Sequence, residues 1–290
     1  MKDIPKIVET ATLPQYQESA AFFERFLDAA HNEDGEILRT PNKKGIKLAD
    51  VSEIDADFLS YFISNKTALE KEFIQDLKNE IGKVKAKLFC DVISNDWYDG
   101  KGLRNGVRVR GVKCGVKQYL TRVISNKIDL SDLIENYEIA NCKQLFSAHE
   151  IAKILTINDQ MMMKHIEVWK SQHPNSDRLS TDNIFLRRGL SLENEIDTEQ
   201  PYREWDYINS YSIAFSTSEM FAQMKKGKLP ALINGDIGLF NGRILFFSPF
   251  IQNMDVGQLE AGIIPSSTLV PIKYQGKHGD IFEYVLDAIP

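Results

Sequence analysis

Three short polar motifs in the last third of the chain carry residue types that can act together in catalysis. They are Arg188-Gly189, Ser216-Thr217-Ser218 and Gln258-Leu259-Glu260. Each stands at the edge of a short apolar segment of the kind that forms β-strands, so one sheet could bring all three to one cleft. An arginine there could hold an anionic group, and a hydroxyl could orient a carboxylate whose charge stabilises a developing cation.

The order of these motifs resembles the Arg, Ser-Thr-Ser, Glu signature of the mono-ADP-ribosyltransferase toxins. The Gln-Leu-Glu motif, followed by Pro265-Ser266-Ser267-Thr268, is most similar to the clostridial exoenzymes that modify Rho GTPases. The stretch Phe246–Phe250 also resembles the family's strand before its acceptor-binding loop. The resemblance extends over Ile184–Ala288, and none is visible in the first half of the chain.

The resemblance implies that NAD is a substrate and that its nicotinamide–ribose bond is cleaved. Glu260 would be the catalytic carboxylate, because a carboxylate beside the ribose stabilises positive charge that appears only in the transition state. Ser216 would orient Glu260, and Arg188 would anchor the pyrophosphate, while Gly189 would let the nicotinamide amide come close. Arg187 would point to the other face of the strand, unless a bulge exchanges the two arginines. The other expected NAD-binding residues are Thr217, Ser218 and Phe221.

Gln258 and Phe250 are the residues expected to recognise the acceptor. Gln258 stands two positions before Glu260 and shares its face if the backbone is extended. In the resembled enzymes a glutamine at this position recognises an amide side chain, whereas a glutamate accompanies arginine acceptors. A protein amide side chain is therefore the first expected acceptor, and a nucleic-acid base is the second. Phe221, Phe240 and Phe250 are candidates to contact the nicotinamide ring, although such residues more often belong to a core.

Each motif taken alone has a simpler structural interpretation. The arginine pair before Gly189 could be the charged end of a strand, and Ser-Thr-Ser could cap the predicted helix Glu219–Lys226. Gln258 and Glu260 could be rim residues beside a buried strand. The functional interpretation depends on the conjunction of all three motifs in the family's order.

The composition sets limits on partners and compartment. The chain of 290 residues is 43% hydrophobic and 26% charged, which is typical of a soluble globular protein, and no apolar run approaches the roughly 20 residues of a membrane helix. The net charge of −6 argues against a whole-protein affinity for nucleic acid. The three cysteines show no metal-type spacing, and the N-terminus lacks an apolar signal region. We therefore expect a cytoplasmic protein with neither a metal nor a membrane partner.

The first half of the chain is predicted to be helical and the last third to be rich in strands. The predicted helices are Pro14–Ala30, Ala56–Leu88, Lys117–Asn126, Leu130–Glu138, Ala148–Thr156 and Asp159–His173. Leu103–Val116 alternates valine with basic residues and is predicted to form a β-hairpin or short strands. The predicted strands are Ile184–Arg188, Tyr211–Ser216, Ala231–Asn234, Arg243–Phe247, Gly262–Pro265, Leu269–Tyr274 and Ile281–Leu286.

These elements predict an α+β fold. A helical docking or regulatory region is expected over residues 1–130, followed by a catalytic domain over residues 131–290. The family resemblance implies a split, mostly antiparallel β core in the second region, with NAD held between two sheets.

A basic run offers the main alternative to an enzyme. Between Gly100 and Lys127 the chain has eight Lys or Arg residues and no Asp or Glu. Residues 101–127 could bind phosphates as a non-catalytic nucleic-acid- or protein-binding module, or they could pair with the acidic segment Asp129–Glu138. A simple NAD glycohydrolase is a further alternative. In the preferred interpretation the protein is a toxin or effector, and its expected partners are a macromolecular acceptor and a neutralising antitoxin or immunity protein.

Overall fold

The N-terminal part of the fold is helical. A computed structural model describes residues 49–97, 106–123, 142–172, 184–254, 256–278 and 280–286. Its first helices are α1 (Ala49–Ile81), α2 (Lys83–Asp91), a π-helix (Val92–Trp97), α3 (Val107–Val123) and α4 (Ala148–Gln172). The predicted helices Pro14–Ala30 and Leu130–Glu138 lie outside the described residues.

A glycine divides the long helix that the sequence predicts over Ala56–Leu88. Gly82 has a φ of 82°, a left-handed conformation that glycine adopts without a steric penalty. Its N–H still donates to the carbonyl oxygen of Lys78 at 3.1 Å, as in the last turn of a helix. Its positive φ interrupts the helix, so that α1 ends at Ile81 and α2 begins at Lys83. Helix α2 continues directly into the π-helix that ends at Trp97.

The prediction of strands over Leu103–Val116 is wrong for the described part of this segment, because residues 107–116 belong to helix α3. Its buried apolar residues are Val109, Val112, Val116 and Leu120. Their spacing of three and four residues places them on one helix face, and this face faces the core. The alternation of valine with basic residues suggested a strand because it has a period of two over a short stretch.

Helix α4 replaces the two shorter helices predicted over Ala148–Thr156 and Asp159–His173. It begins with a capping box, in which the N–H of Ser147 donates to Glu150 Oε2 at 2.7 Å and the N–H of Glu150 donates to Ser147 Oγ at 3.2 Å. No described helix combines the length and apolar character needed to cross a membrane.

A seven-stranded sheet forms the C-terminal part of the fold. Its strands are β1 (Phe185–Leu192), β2 (Asn209–Ser212), β3 (Leu229–Asp236), β4 (Ile244–Phe247), β5 (Glu260–Ile263), β6 (Ile272–His278) and β7 (Ile281–Leu286). The spatial order is β4-β5-β2-β1-β3-β7-β6, and every neighbouring pair is antiparallel except β3 and β7. Each of the seven predicted strands overlaps an observed strand, although the predicted strand Tyr211–Ser216 ends at Ser212 and its last two residues are helical. The α+β class with a mostly antiparallel sheet is confirmed.

One further helix and two short 3₁₀ helices connect the strands. Helix α5 (Phe215–Ala222) follows β2 and packs against β1, β2 and β3. The 3₁₀ helices span Ile237–Phe240 and Ser248–Phe250. The second of them packs against α1, while α4 packs against β4. The buried apolar side chains of the helices and the sheet form one continuous cluster, so the helical layer is fixed to the strand edge that carries β4 and β5.

Candidate active site

A row of three polar residues crosses adjacent strands of the sheet. Arg187 in β1 is opposite Ser212 in β2, and Ser212 is opposite Glu260 in β5. Residues directly opposite each other on neighbouring strands point to the same face of a sheet. We call Arg187, Ser212 and Glu260 the polar row, and we call the face that carries it the front face. Since neighbouring strands are about 4.8 Å apart, the two ends of the row are about 10 Å apart at the backbone.

The carboxylate of Glu260 is held by side chains from two directions. The side chain is only 3% exposed. Its Oε1 accepts a hydrogen bond from Trp97 Nε1 at 3.1 Å and a short one from Ser210 Oγ. Its own N–H donates to Ser248 Oγ at 3.0 Å, which fixes the start of β5. The side chain is thus oriented by a hydroxyl on the neighbouring strand and by an indole from the π-helix.

Ser212 ties the end of β2 to the segment that enters β5. Its hydroxyl is placed to donate either to the carbonyl oxygen of Ala214, at 3.0 Å, or to that of Gln258 through a short contact. A serine hydroxyl has one proton, so it serves one of these acceptors at a time. The serine of the polar row therefore contacts the backbone that leaves β2 and the backbone that enters β5 just before Glu260.

Arg187 is the cation of the polar row. Its side chain is buried, and Nη1 donates to the carbonyl oxygen of Ile213 at 2.8 Å. Its guanidinium carbon lies 5.8 Å from the ring centroid of Phe185, which points to the same face. The carbonyl oxygen of Arg187 accepts from Ser218 Oγ at 3.1 Å, and this bond attaches helix α5 to β1.

The structure does not bring Arg188 together with Glu260, contrary to the sequence prediction. The pairing of β1 with β3 is continuous from Phe185 to Leu192, so no bulge changes the alternation of side chains. Arg188 therefore points to the back face, where its Nη1 donates to Asn209 Oδ1 at 2.6 Å. Its guanidinium carbon lies 5.6 Å from a ring centroid of Trp205 and 5.8 Å from that of Tyr211. The alternative assignment, with Arg187 as the cation near Glu260, agrees with this register.

Arg188 belongs to a cluster of aromatic and charged residues on the back face. Burial acts to lower the pKa of its guanidinium, but Tyr202, Tyr211 and Glu204 outweigh burial and raise the pKa. Burial also raises the pKa of Tyr211 well above its usual value. The carboxylate of Glu204 is itself paired with Arg243 through a short ion pair. These groups keep Arg188 cationic, on the side of the sheet away from Glu260.

Gly189 is a glycine because helix α5 lies directly on it. A Cβ at this position would overlap the carbonyl oxygen of Ser218 and would lie 2.7 Å from the backbone nitrogen of Ala222. The close approach of α5 to β1 therefore explains this residue. Any contact between Gly189 and a nicotinamide amide remains a prediction.

The Ser-Thr-Ser motif lies inside α5 and does not cap it. The helix begins at Phe215, four residues before the predicted helix Glu219–Lys226, and its N-cap residue is Ala214. The side chain of Ser216 is outside the described part of the structure, so its role in orienting Glu260 stays a prediction. Thr217 and Phe221 are half-buried in the same helix.

Leu259, between Gln258 and Glu260, has a left-handed backbone conformation. Leu259 is buried and has a φ of 42°, which is strained for a residue other than glycine. The backbone between Gln258 and Glu260 is therefore not extended, and the argument that strand alternation puts them on one face does not hold. Gln258 is half-buried, so a role in acceptor recognition remains a prediction.

Phe250 is a core residue in this structure, and its role in acceptor recognition stays a prediction. The side chain is 1% exposed. Its ring centroid lies 5.9 Å from that of Phe73, 6.4 Å from that of Phe62 and 5.2 Å from that of Phe247. These contacts join α1 to the sheet edge. Phe240 is also buried, against Tyr211.

The sequence analysis did not single out Trp97, Ser210 or Ser212. The two serines alternate with buried Tyr211, so a period-two pattern over β2 could have placed them on one face with Glu260. Trp97 carries no comparable signal, because it stands 163 residues from the carboxylate that it contacts. Among the described residues, no group of three His, Cys, Asp or Glu side chains could hold a metal ion.

Comparisons with known proteins give one similarity. No protein-family model matches the chain, and no curated protein matches it. Among solved structures the chain is similar to "Vis toxin, an ADP-ribosyltransferase from Vibrio Splendidus", with 11% sequence identity. The similarity covers 87% of this chain and 89% of that chain, with a TM-score of 0.37. A TM-score this low does not establish a common fold.

Proposed function

We propose that the protein is a mono-ADP-ribosyltransferase that cleaves NAD and transfers ADP-ribose to a macromolecular acceptor. The observation that supports this proposal is the polar row, in which a cation, a hydroxyl and a carboxylate lie across three adjacent strands on one face. The sequence motifs supply the same three residue types in the same order, with the arginine shifted by one position and the serine by four.

The reaction needs one group that responds to charge at the ribose. The bond between ribose C1 and the nicotinamide nitrogen breaks, and its electron pair leaves with neutral nicotinamide. Positive charge then develops on the ribose, and a carboxylate nearby stabilises it more in the transition state than in the ground state. An acceptor nucleophile bonds to C1 and releases its proton, so that ADP-ribosyl acceptor, nicotinamide and a proton are the products.

Different residues of the front face would have different roles in this reaction. Glu260 would stabilise the cationic ribose, and Ser210 would keep its carboxylate oriented. Arg187 would hold the pyrophosphate, because a guanidinium carries five N–H donors and can serve a backbone carbonyl and an anion together. Arg188 would support the sheet from the back face. Ser216 remains a candidate for a second hydroxyl near Glu260.

The acceptor and the biological setting follow from the same proposal. Gln258 stands two residues before Glu260 and is half-buried. Because its side chain carries no negative charge, it cannot take a proton from a guanidinium. A protein amide side chain is therefore the first acceptor and a nucleic-acid base the second. The protein would act as a toxin or effector in the cytoplasm, and a neutralising antitoxin or immunity protein would protect the producing cell.

Replacement of Glu260 by glutamine tests the central role. Glu260→Gln keeps the shape of the side chain and removes its charge, so nicotinamide release from NAD should fall by about 100- to 1,000-fold. Glu199→Gln, at an exposed position, is the matched control and should leave the rate unchanged. Label transfer from NAD to a cell extract is measured in parallel, with nuclease and protease digestion to identify the acceptor class.

The outcomes separate the competing functions. Equal rates for Glu260→Gln and wild type would contradict the site, and absence of both release and transfer would contradict the enzyme. Release without transfer would indicate an NAD glycohydrolase. The nucleic-acid-binding alternative loses support in α3, since Lys113 pairs with Asp206 at 2.8 Å and Arg108 pairs with Asp96 at 3.2 Å.

A further inference from the structure

Trp97 occupies the space over the proposed catalytic carboxylate. Trp97 and Glu260 are both buried, and the indole Nε1 donates to the carboxylate. The indole also packs edge-on against Phe246, with ring centroids 5.9 Å apart. The ring of Phe246 lies on Gly262, where a side chain of that residue would be. Gly262 is two residues after Glu260 in β5, so this position is on the front face as well. A ribose therefore cannot contact Glu260 while Trp97 is in this position.

We propose that Trp97 is an autoinhibitory plug, which must leave Glu260 before the dinucleotide can bind there. The inference rests on the proposed function, because it concerns access to the same carboxylate. The end of the π-helix that carries Trp97 would move, while α3 and the rest of the helical layer would keep their apolar contacts.

Two ion pairs hold the plug in place. Asp96 Oδ2 lies 3.2 Å from Arg108 Nε, and this pair joins the π-helix to α3. Lys113 Nζ in α3 lies 2.8 Å from Asp206 Oδ2, in the segment that precedes β2. The same ammonium group lies 5.8 Å from the centroid of the Trp97 ring. The Lys113–Asp206 pair, which we call the latch, is therefore the charged contact that joins α3 to the segment before β2, next to Trp97.

The buried ion pair beside Trp97 favours an interface that can open. The Lys113 side chain is 0% exposed, and burial of an ammonium group is costly unless a partner compensates it. When a buried ion pair has only a structural role, apolar residues of similar volume often give the same stability. The contacts that would stay are apolar, since α1 meets the sheet through Phe62, Phe247 and Phe250 and α3 buries the valines of one face in the same core. A π-helix is also rare and is frequently found at functional sites.

Fluorescence quenching measures the plug without any need for catalysis. The chain has three tryptophans, so Trp169→Phe with Trp205→Phe leaves Trp97 as the only one. In this background Asp206→Asn removes the carboxylate charge that Lys113 contacts. We expect acrylamide quenching of Trp97 to rise several-fold, and thermal unfolding to remain cooperative. Lys153→Met is the matched control, because it removes an ion pair of Lys153 with Glu80 inside the helical layer, and quenching should not change. Equal quenching in folded Asp206→Asn and in the control would overturn the proposal.

A second variant tests the plug through activity. Trp97→Phe keeps an aromatic ring and removes the N–H that donates to Glu260, so nicotinamide release should rise several-fold. A fall in release would mean that Trp97 supports the reaction, and it would overturn the proposal. If neither Trp97→Phe nor wild type releases nicotinamide, the proposed function fails, while the quenching result still decides whether Trp97 is a releasable contact.

Discussion

The two adjacent arginines of β1 give a direct test of the face assignment. Arg187 shares the front face with Glu260, whereas Arg188 lies on the back face beside Asn209. Each guanidinium makes a hydrogen bond through Nη1 and lies near an aromatic ring, so the two residues form a matched pair. We expect Arg187→Lys to lower NAD cleavage strongly and Arg188→Lys to lower it little.

The expected size follows from the contacts that lysine cannot make. Lysine keeps the charge, but it replaces the planar fork of Arg187 by a single ammonium group and loses one charge-assisted bond to the pyrophosphate. Such a bond contributes about 1.5 to 3 kcal/mol. This corresponds to a fall in kcat/KM of about 10- to 150-fold. The loss should appear chiefly in KM if NAD and the transition state use the arginine equally.

The assay is nicotinamide release over a range of NAD concentrations, with thermal unfolding of each variant as the control for folding. Both substitutions remove one guanidinium contact within the protein, so their effects on the free energy of unfolding should be similar, about 1 kcal/mol each. If Arg188→Lys proves the more damaging of the two at equal stability, the register argument is refuted and Arg188 reaches the substrate.

The remaining predictions concern packing and titration. Gly189→Ala should destabilise the fold by about 1–3 kcal/mol or more in denaturant unfolding, because its Cβ would overlap the carbonyl oxygen of Ser218. Gly227→Ala, where a Cβ meets nothing within 4 Å, should cost only the about 1 kcal/mol of a positive φ, and equal losses would contradict the packing argument. Burial raises the pKa of Asp159 to about 6, although its carboxylate accepts from the N–H of Gly242. The folded state thus binds this proton more tightly than the unfolded chain, so wild-type stability should fall relative to Asp159→Asn as the pH rises from about 4 to about 6. A difference in Tm between the two proteins that does not change with pH would contradict this assignment.

The strands could be predicted from the sequence because each is a local pattern. A short β-rich apolar run bounded by Gly, Asn, Asp or Pro is recognisable without knowledge of its partner. Helix α3 was mispredicted for the same reason, since Val107 and Val109 are each followed by an arginine and this local alternation is like that of a strand. The three- and four-residue spacing of Val109, Val112 and Val116 becomes decisive only when the whole helix is considered.

The candidate site could be predicted only in part. Glu260 was singled out by its Gln-Leu-Glu motif and by the apolar run that follows it, and the structure places it at the start of β5. The choice between Arg187 and Arg188 depends on strand register, and a change of one residue moves a side chain to the other face. The contacts of Glu260 with Ser210 and Trp97 depend on how distant segments meet, and Phe250 reached the core because α1 covers it. Such tertiary contacts leave no local pattern in the chain.

The interleaved strand order has a consequence for biosynthesis. Strand β5 enters the sheet between β4 and β2, although β2 is made well before it. A nascent chain that has not reached position 260 already carries Arg187 and Ser212 but lacks the acid, so it is chemically harmless under the proposed mechanism. Under the proposed function, the chain would therefore become active only after most of the polypeptide has left the ribosome, and a neutralising protein that binds the earlier segments would meet the chain before that point.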